Sequence, residues 1–306
     1  MTSKQLVRLA LVLVALLLLW GAASLVRRGS SGPSAADRFI IPAIARDGAD
    51  SIVITRPADT TRLARRDSTT WLVNGHAASG SAVAGLFSAL SDAARSTELV
   101  ATRTASHGRL GVDSAKGATI RIVRADSTLL ELIQGNRGPS PEAGYFRHRR
   151  DSAVYLVSGG LAQALDKSSD EWRDHRIVGI ARDSVSRIEV QRGRRTYTLR
   201  REGKRWRRTP GGLVDSAAVT ALLAAYTDVE AAGFASPAQA HSAAFGRPDR
   251  RASLLRADGT PLLVLAFDST ATGFWVRAAG DSTVFRLDTW NADRLTPADS
   301  SLETTR

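Results

Sequence analysis

The sequence predicts an α+β fold, with an N-terminal transmembrane helix followed by two tandem copies of one mixed module, antiparallel strands packed with one main helix. Three observations carry that reading. Short apolar runs alternate as strands do, in Ile120 and Ile122, Leu130 and Leu132, Val154 and Leu156. Two segments, residues 79–90 and 215–226, instead space their apolar residues as a helix does: Val83, Leu86, Phe87 and Leu90 in one, Val219, Leu222, Leu223 and Tyr226 in the other. The order of these features, once completed, then begins again in the second half of the chain.

The repeat is legible position by position. Ile52-Val53-Ile54, Leu63 and Trp71 precede the first helix; Ile188-Glu189-Val190, Leu199 and Trp206 precede the second, with Asp215-Ser216 suited to cap its start. After the helices, Leu110-Gly111 answers Phe245-Gly246, and Arg124-Ala125-Asp126 answers Arg256-Ala257-Asp258. Gly144-Tyr145-Phe146 answers Gly273-Phe274-Trp275, and residues 151–155 answer 281–285. Each module therefore reads as two strands, a short Trp-bearing strand, a helix, and about four strands in hairpins, with a final short helix over 160–167 in the first copy. Trp71 and Trp206, at matching places, are expected in the two cores.

The first 28 residues read as a membrane anchor or uncleaved signal. Lys4 and Arg8 precede an apolar run over 9–26 that Arg27 and Arg28 close. At ~1.5 Å per helical residue the run spans about 27 Å, near the thickness of a bilayer's hydrocarbon core. The rival is a cleaved signal peptide, with 9–20 as its apolar region and Ala22 and Ser24 as a small-x-small cleavage pattern; both readings export the rest of the chain. A reversed, cytoplasmic orientation is the other alternative, since arginines come after the run as well as before it. A linker over 29–46, small and polar at its start (GSSGPSAA), leads to a first repeat over 47–178, a second over 179–296 and a tail over 297–306.

The chain has 306 residues and no cysteine, which excludes disulfides, thiolate metal sites, a cysteine nucleophile and an acylated cysteine. Its net charge of +12 invites a nucleic-acid reading. Arginine far outnumbers lysine and alanine is abundant, so the charge reads instead as the bias of a GC-rich genome. It concentrates over 192–208, where Arg200, Arg201, Arg205 and Arg207 are the candidate surface-contact residues of a basic hairpin. The plainer alternative is a charged edge that discourages strand addition.

Chemistry is sparse. No nucleophile elbow, phosphate-binding loop, dinucleotide fingerprint or zinc-helix motif is present. His76, His107, His148, His175 and His241 lack ligand spacing, and the recurrent Asp-Ser dipeptides suit turns and caps better than calcium. Ser158 before Gly159-Gly160 would need a converging His and Asp to act as a nucleophile. Asp170, Glu171 and Asp174 sit among Arg173, His175 and Arg176 in a way that suggests ion pairs, not a glycosidase carboxylate pair. No catalytic, metal or cofactor residue is assigned, and no cofactor is expected.

The anchor, Trp71 after a charged hairpin, the small-residue helix, Leu110-Gly111, the aromatic strand Tyr145-Phe146 and the Trp-Arg-Asp-x-Arg segment over 172–176 together resemble the bacterial domain of unknown function 4340 family. The second copy departs from that pattern at Trp290-Asn291-Ala292-Asp293-Arg294. The resemblance implies a companion of ABC-type transport or gliding-motility membrane complexes and supplies no catalytic residues. The function expected is thus a non-enzymatic accessory or scaffold protein of the cytoplasmic membrane, facing the periplasm, with membrane lipid and a transporter-type complex as partners. A module binding envelope glycan or anionic lipid is the alternative, and an envelope hydrolase the third reading.

Overall fold

The computed structural model describes residues 39–212 and 214–303. The expected anchor over 1–28 and the first part of the expected linker lie outside the described residues. Among the described residues no helix is long and apolar enough to cross a membrane. The chain divides into two compact units after Arg173. Both are built mostly of antiparallel sheet with few helices, an α+β architecture.

The first unit opens with β1 (Ser51–Thr55), β2 (Thr60–Arg65), β3 (Trp71–Val73) and β4 (His76–Ala77), then α1 (Gly80–Leu90). It continues through β5 (Thr97–Ala101), α2 (His107–Leu110), β6 (Ala118–Arg124), β7 (Ser127–Arg137), β8 (Gly144–His148), β9 (Val154–Val157) and α3 (Leu161–Leu165). The strands form one sheet in the order β4-β3-β2-β1-β6-β7-β8-β9-β5. β1 lies between β2 and β6, Ile52 facing Leu63 on one side and Ile122 on the other. Alternation then turns Ile52, Ile54, Leu63, Trp71, Ile120 and Ile122 to one face, where they are buried under Val83, Leu86, Phe87 and Leu90 of α1 and Leu161 and Leu165 of α3. On the opposite face Leu110, Val112, Ile133 and Val154 make a smaller cluster beneath α2. α1 starts where the Ser79 hydroxyl accepts from Ala82 N–H at 3.3 Å.

The second unit comprises β10 (Arg176–Val178), β11 (Arg187–Arg192), β12 (Arg195–Glu202), β13 (Arg205–Thr209), α4 (Ser216–Ala225), β14 (Val229–Glu230) and β15 (Gly233–Phe234). After these come α5 (Pro237–Ser242), β16 (Arg250–Leu255), β17 (Pro261–Thr270), β18 (Gly273–Ala278), β19 (Phe285–Leu287) and α6 (Thr289–Leu295). Its main sheet runs β13-β12-β11-β16-β17-β18-β19-β15, and β10 pairs with β14 apart from it. Strand for strand, this is the order of the first sheet without β4. Asp215 caps α4, its carboxylate accepting from Ala217 N–H at 2.9 Å. Tyr226, at the end of α4, donates its hydroxyl proton to the Leu295 carbonyl of α6, while Tyr197 donates to Pro297 at 2.8 Å. Burial pushes both phenols up.

Several elements differ from the sequence reading. β5 and β15 close the far ends of their sheets, yet Thr97–Ala101 alternates only between half-buried and exposed positions, so hydropathy gave it no core face. The second unit also ends in a helix, α6, which Asp288 caps through Asn291 N–H at 2.7 Å. The segment over 39–46, expected as linker, packs on the first unit: Phe39 and Ile44 are buried, and the Phe39 ring stacks on Tyr155 at 4.5 Å and leans on His148 at 4.8 Å. The start of the expected tail packs too, with Leu302 buried and its carbonyl accepting from Asp215 N–H at 3.0 Å. Single apolar residues without period gave no sign of either contact.

His148 supplies a pH prediction. Burial disfavours its cation and holds its pKa below the ordinary 6.5, against a smaller opposing pull from Asp151. The unfolded chain therefore binds more protons, and the stability His148 contributes is complete above pH 6.5 and declines as pH falls through its folded value. The first unit is expected to melt at lower temperature at pH 5 than at pH 7, and His148→Gln to flatten that slope. Calorimetry across the range checks it.

Candidate functional site

Trp71 and Trp206 sit at 2% and 6% exposure in the two cores. Trp71 packs its ring at 5.4 Å from Phe87 of α1. Trp206 lies under the guanidinium of Arg201, 5.4 Å from the ring centroid. Trp71 presents no face for a sugar ring, while Trp206 borders a hollow of about 450 Å³ beside Arg201 and Lys204.

The structure separates the four candidate arginines. β12 buries Tyr197 and Leu199, so Arg200 and Glu202 point to the opposite, outward face while Arg201 stays on the side of Trp206. β13 buries Trp206, which turns Arg205 and Arg207 outward to join Arg200. Arg187 and Glu189 of β11 lie on the same outward face and pair at 3.1 Å, and Arg207 pairs with Glu202 at 3.0 Å. Two adjoining hollows of about 320 and 300 Å³ share Arg187 and Arg200. Thr198 and Thr209 line the first, Ser186 and Arg256 the second. The result is a largely exposed sheet face of net positive charge.

Not all of the arginine run is surface charge. Arg208 points the other way, its side chain only 12% exposed, donating to the Asp299 carbonyl at 3.0 Å and to Glu303 at 2.9 Å. Arg192 and Arg250 converge on Asp293 at 2.9 and 2.6 Å. These three hold α6 and the chain after it to the sheet, a role the alternation of β12 and β13 cannot reveal.

The other polar candidates are engaged locally. Ser158 bonds to Ser96, hydroxyl to hydroxyl at 2.7 Å. Glu171 accepts from the N–H and hydroxyl of Ser168 at 2.7 and 2.8 Å, which lowers its pKa, and Asp170 pairs with Arg173 at 3.6 Å. Asp174 accepts from Arg176 N–H at 3.0 Å. Asp67 accepts from the N–H groups of Thr69 and Thr70, which hold its pKa down at about 2. Asp113, Asp151 and Asp281 likewise close turns on nearby N–H groups. His107 bonds through Nε2 to the Ser152 carbonyl at 2.8 Å, and His175 through Nδ1 to Ala231 at 3.0 Å. Among the described residues no three His, Asp or Glu side chains could hold a metal together. A larger open groove of about 930 Å³ in the first unit runs along α1 and α3, lined by Ser81, Gly85, Ser88, Gln163 and Lys167.

The closing segment of the first unit is structural. Trp172 is fully buried, and its carbonyl accepts from Ser79 N–H at 2.8 Å at the start of α1. Trp290 is instead 65% exposed on α6, under Arg294 at 4.5 Å. The two tryptophans are not counterparts: α6 comes after β19 as α3 comes after β9.

Residues 71–248 match the family model described as Domain of unknown function (DUF4340). The chain belongs to this family. The match opens on Trp71, crosses into the second unit and runs past the cationic hairpin. No curated protein and no solved structure matches the chain.

The burial of these side chains sets the stability outcomes. Trp71→Ala and Trp206→Ala are each expected to destabilise their unit by about 3–5 kcal/mol, as truncation of a buried aromatic does. Arg200→Ser is expected to stay within about 0.5 kcal/mol of the parent, while Arg208→Ser loses about 1.5–3 kcal/mol with its charged hydrogen bonds. Denaturant titration of the four variants decides both.

Proposed function

We propose that the chain is a non-enzymatic accessory or scaffold protein, anchored by residues 1–28 in the cytoplasmic membrane and exposing its two units to the periplasm. The units are proposed to be two copies of one module, and the partner a transporter-type membrane complex. The observation that carries the scaffold reading is the engagement of the chemistry-bearing side chains. Ser158, Asp170, Glu171, Asp174, His107 and His175 each bond within their own unit, in turns, caps and pairs. The anchor reading rests on the apolar run over 9–26 with its closing Arg27-Arg28. The duplication reading rests on the shared strand order and on the residue correspondences of the sequence. The transporter-type partner is drawn from the family resemblance.

The second reading, a module for anionic lipid, is favoured by the cationic face of β11, β12 and β13. Envelope glycan finds less support there, because no aromatic residue lines either hollow.

Alkaline carbonate extraction of membranes tests the anchor: the chain is expected in the pellet with its N-terminal segment intact. A soluble product beginning near Leu25 would overturn it. Crosslinking in intact membranes, with purification afterwards, is expected to recover integral subunits of a transport complex; recovery of the chain alone counts against the scaffold role.

A further inference from the structure

On the outward face of the second sheet three arginines stand in one row. Arg187 of β11 is directly opposite Arg200 of β12, and Arg200 is directly opposite Arg207 of β13. At a strand spacing of ~4.8 Å the row crosses about 10 Å of sheet. The first sheet provides the comparison. Its buried pair Ile52–Leu63 corresponds to Ile188–Leu199, and its pair Arg65–Trp71 to Arg201–Trp206. In that common register the row reads Ser51, Ala64 and Leu72. The same strand arrangement therefore stands without charge on this row.

Like charges directly opposite one another work against sheet formation. Glu189 and Glu202 offset the outer two arginines, whereas no carboxylate pairs with Arg200 among the described residues. A charge that the fold neither requires nor neutralises is free to meet an anion from outside. Neither hollow beside Arg200 is lined by an aromatic ring, so a base or a sugar would find no stacking surface there. A row of guanidinium groups on an open sheet face suits phosphate oxygens presented by another surface.

We infer that this face docks on the phosphate headgroups of an anionic phospholipid bilayer. The choice of bilayer rests on the anchored reading, in which the ten residues over 29–38 separate the anchor over 1–28 from the packed Phe39. Fully extended, they reach at most about 35 Å, which keeps the first unit near the membrane and the second tethered to the same surface through it. Each arginine removed weakens docking about fivefold, the equivalent of ~1 kcal/mol per basic residue near an anionic surface, and added salt weakens it further.

The chain has no cysteine, so a single introduced thiol is a clean reporter. Thr198→Cys puts a fluorophore beside the row, and Thr119→Cys puts one on β6 of the first sheet. The full chain is reconstituted into neutral vesicles and into vesicles one part in three anionic, both carrying a nitroxide on a fixed fraction of headgroups. The Thr198 label is expected to be quenched in anionic vesicles only, less so as salt rises, with the Thr119 label unchanged. Arg200→Ser is expected to weaken the quenching, and the triple change Arg187→Ser, Arg200→Ser, Arg207→Ser to abolish it while the chain still melts cooperatively. Equal quenching in both lipids, none in either, or quenching that survives the single and triple changes would overturn the inference. Flotation with neutral vesicles reports the anchor separately: a chain that stays behind there, yet is quenched at Thr198 on anionic vesicles, loses the anchor and keeps the face.

Discussion

Each unit depends on one central strand paired on both sides. β1 is held between β2 and β6, and β11 between β12 and β16, with Ile52 and Ile188 fully buried at corresponding positions. A slip of one residue in either pairing would turn the isoleucines outward, and in β11 would bring Arg187 and Glu189 inward. Two ladders enforce the register at once, so the error is blocked from both sides. The order that β1 and β11 set in place then propagates: the Trp-bearing hairpin on one side, the long hairpins on the other, and one buried face for the helices.

Much of this was legible because it is periodic. The alternation of Ile188 and Val190, or of Ile120 and Ile122, requires a half-buried strand, and the four apolar residues of α1 and of α4 require a helix over a sheet. Features without a period were missed. Phe39, Ile44 and Leu302 are isolated apolar residues whose burial depends on a surface formed elsewhere in the chain. β5 and β15 owe their places to the far end of a sheet whose closure no local pattern encodes.

The arginine run shows the same division within a single hairpin. Composition marks the segment as basic, and alternation separates Arg200 and Arg207 from Tyr197, Leu199 and Trp206. Alternation also puts Arg201 and Arg208 on the buried side, but says nothing of why charge is tolerated there. The reasons are an indole under Arg201 and the acceptors Asp299 and Glu303 around Arg208, the latter nearly a hundred residues further along the chain. The row formed by Arg187, Arg200 and Arg207 needs more still, because it joins three strands and exists only once their registers are fixed.

The seat of Phe39 determines how the first unit would bear mechanical load. The strap that begins there is held by ring contacts with Tyr155 and His148 and by side-chain bonds, Ser91 to the Ile44 carbonyl at 3.3 Å and Arg95 to the Ile41 carbonyl at 3.4 Å. Among the described residues no backbone ladder ties 39–45 to the sheet. Tension entering from the N-terminal side meets these side-chain contacts first, one after another, and peels the strap before it reaches β1. The strap would thus act as a sacrificial extension, yielding under force while the sheet behind it keeps its shape.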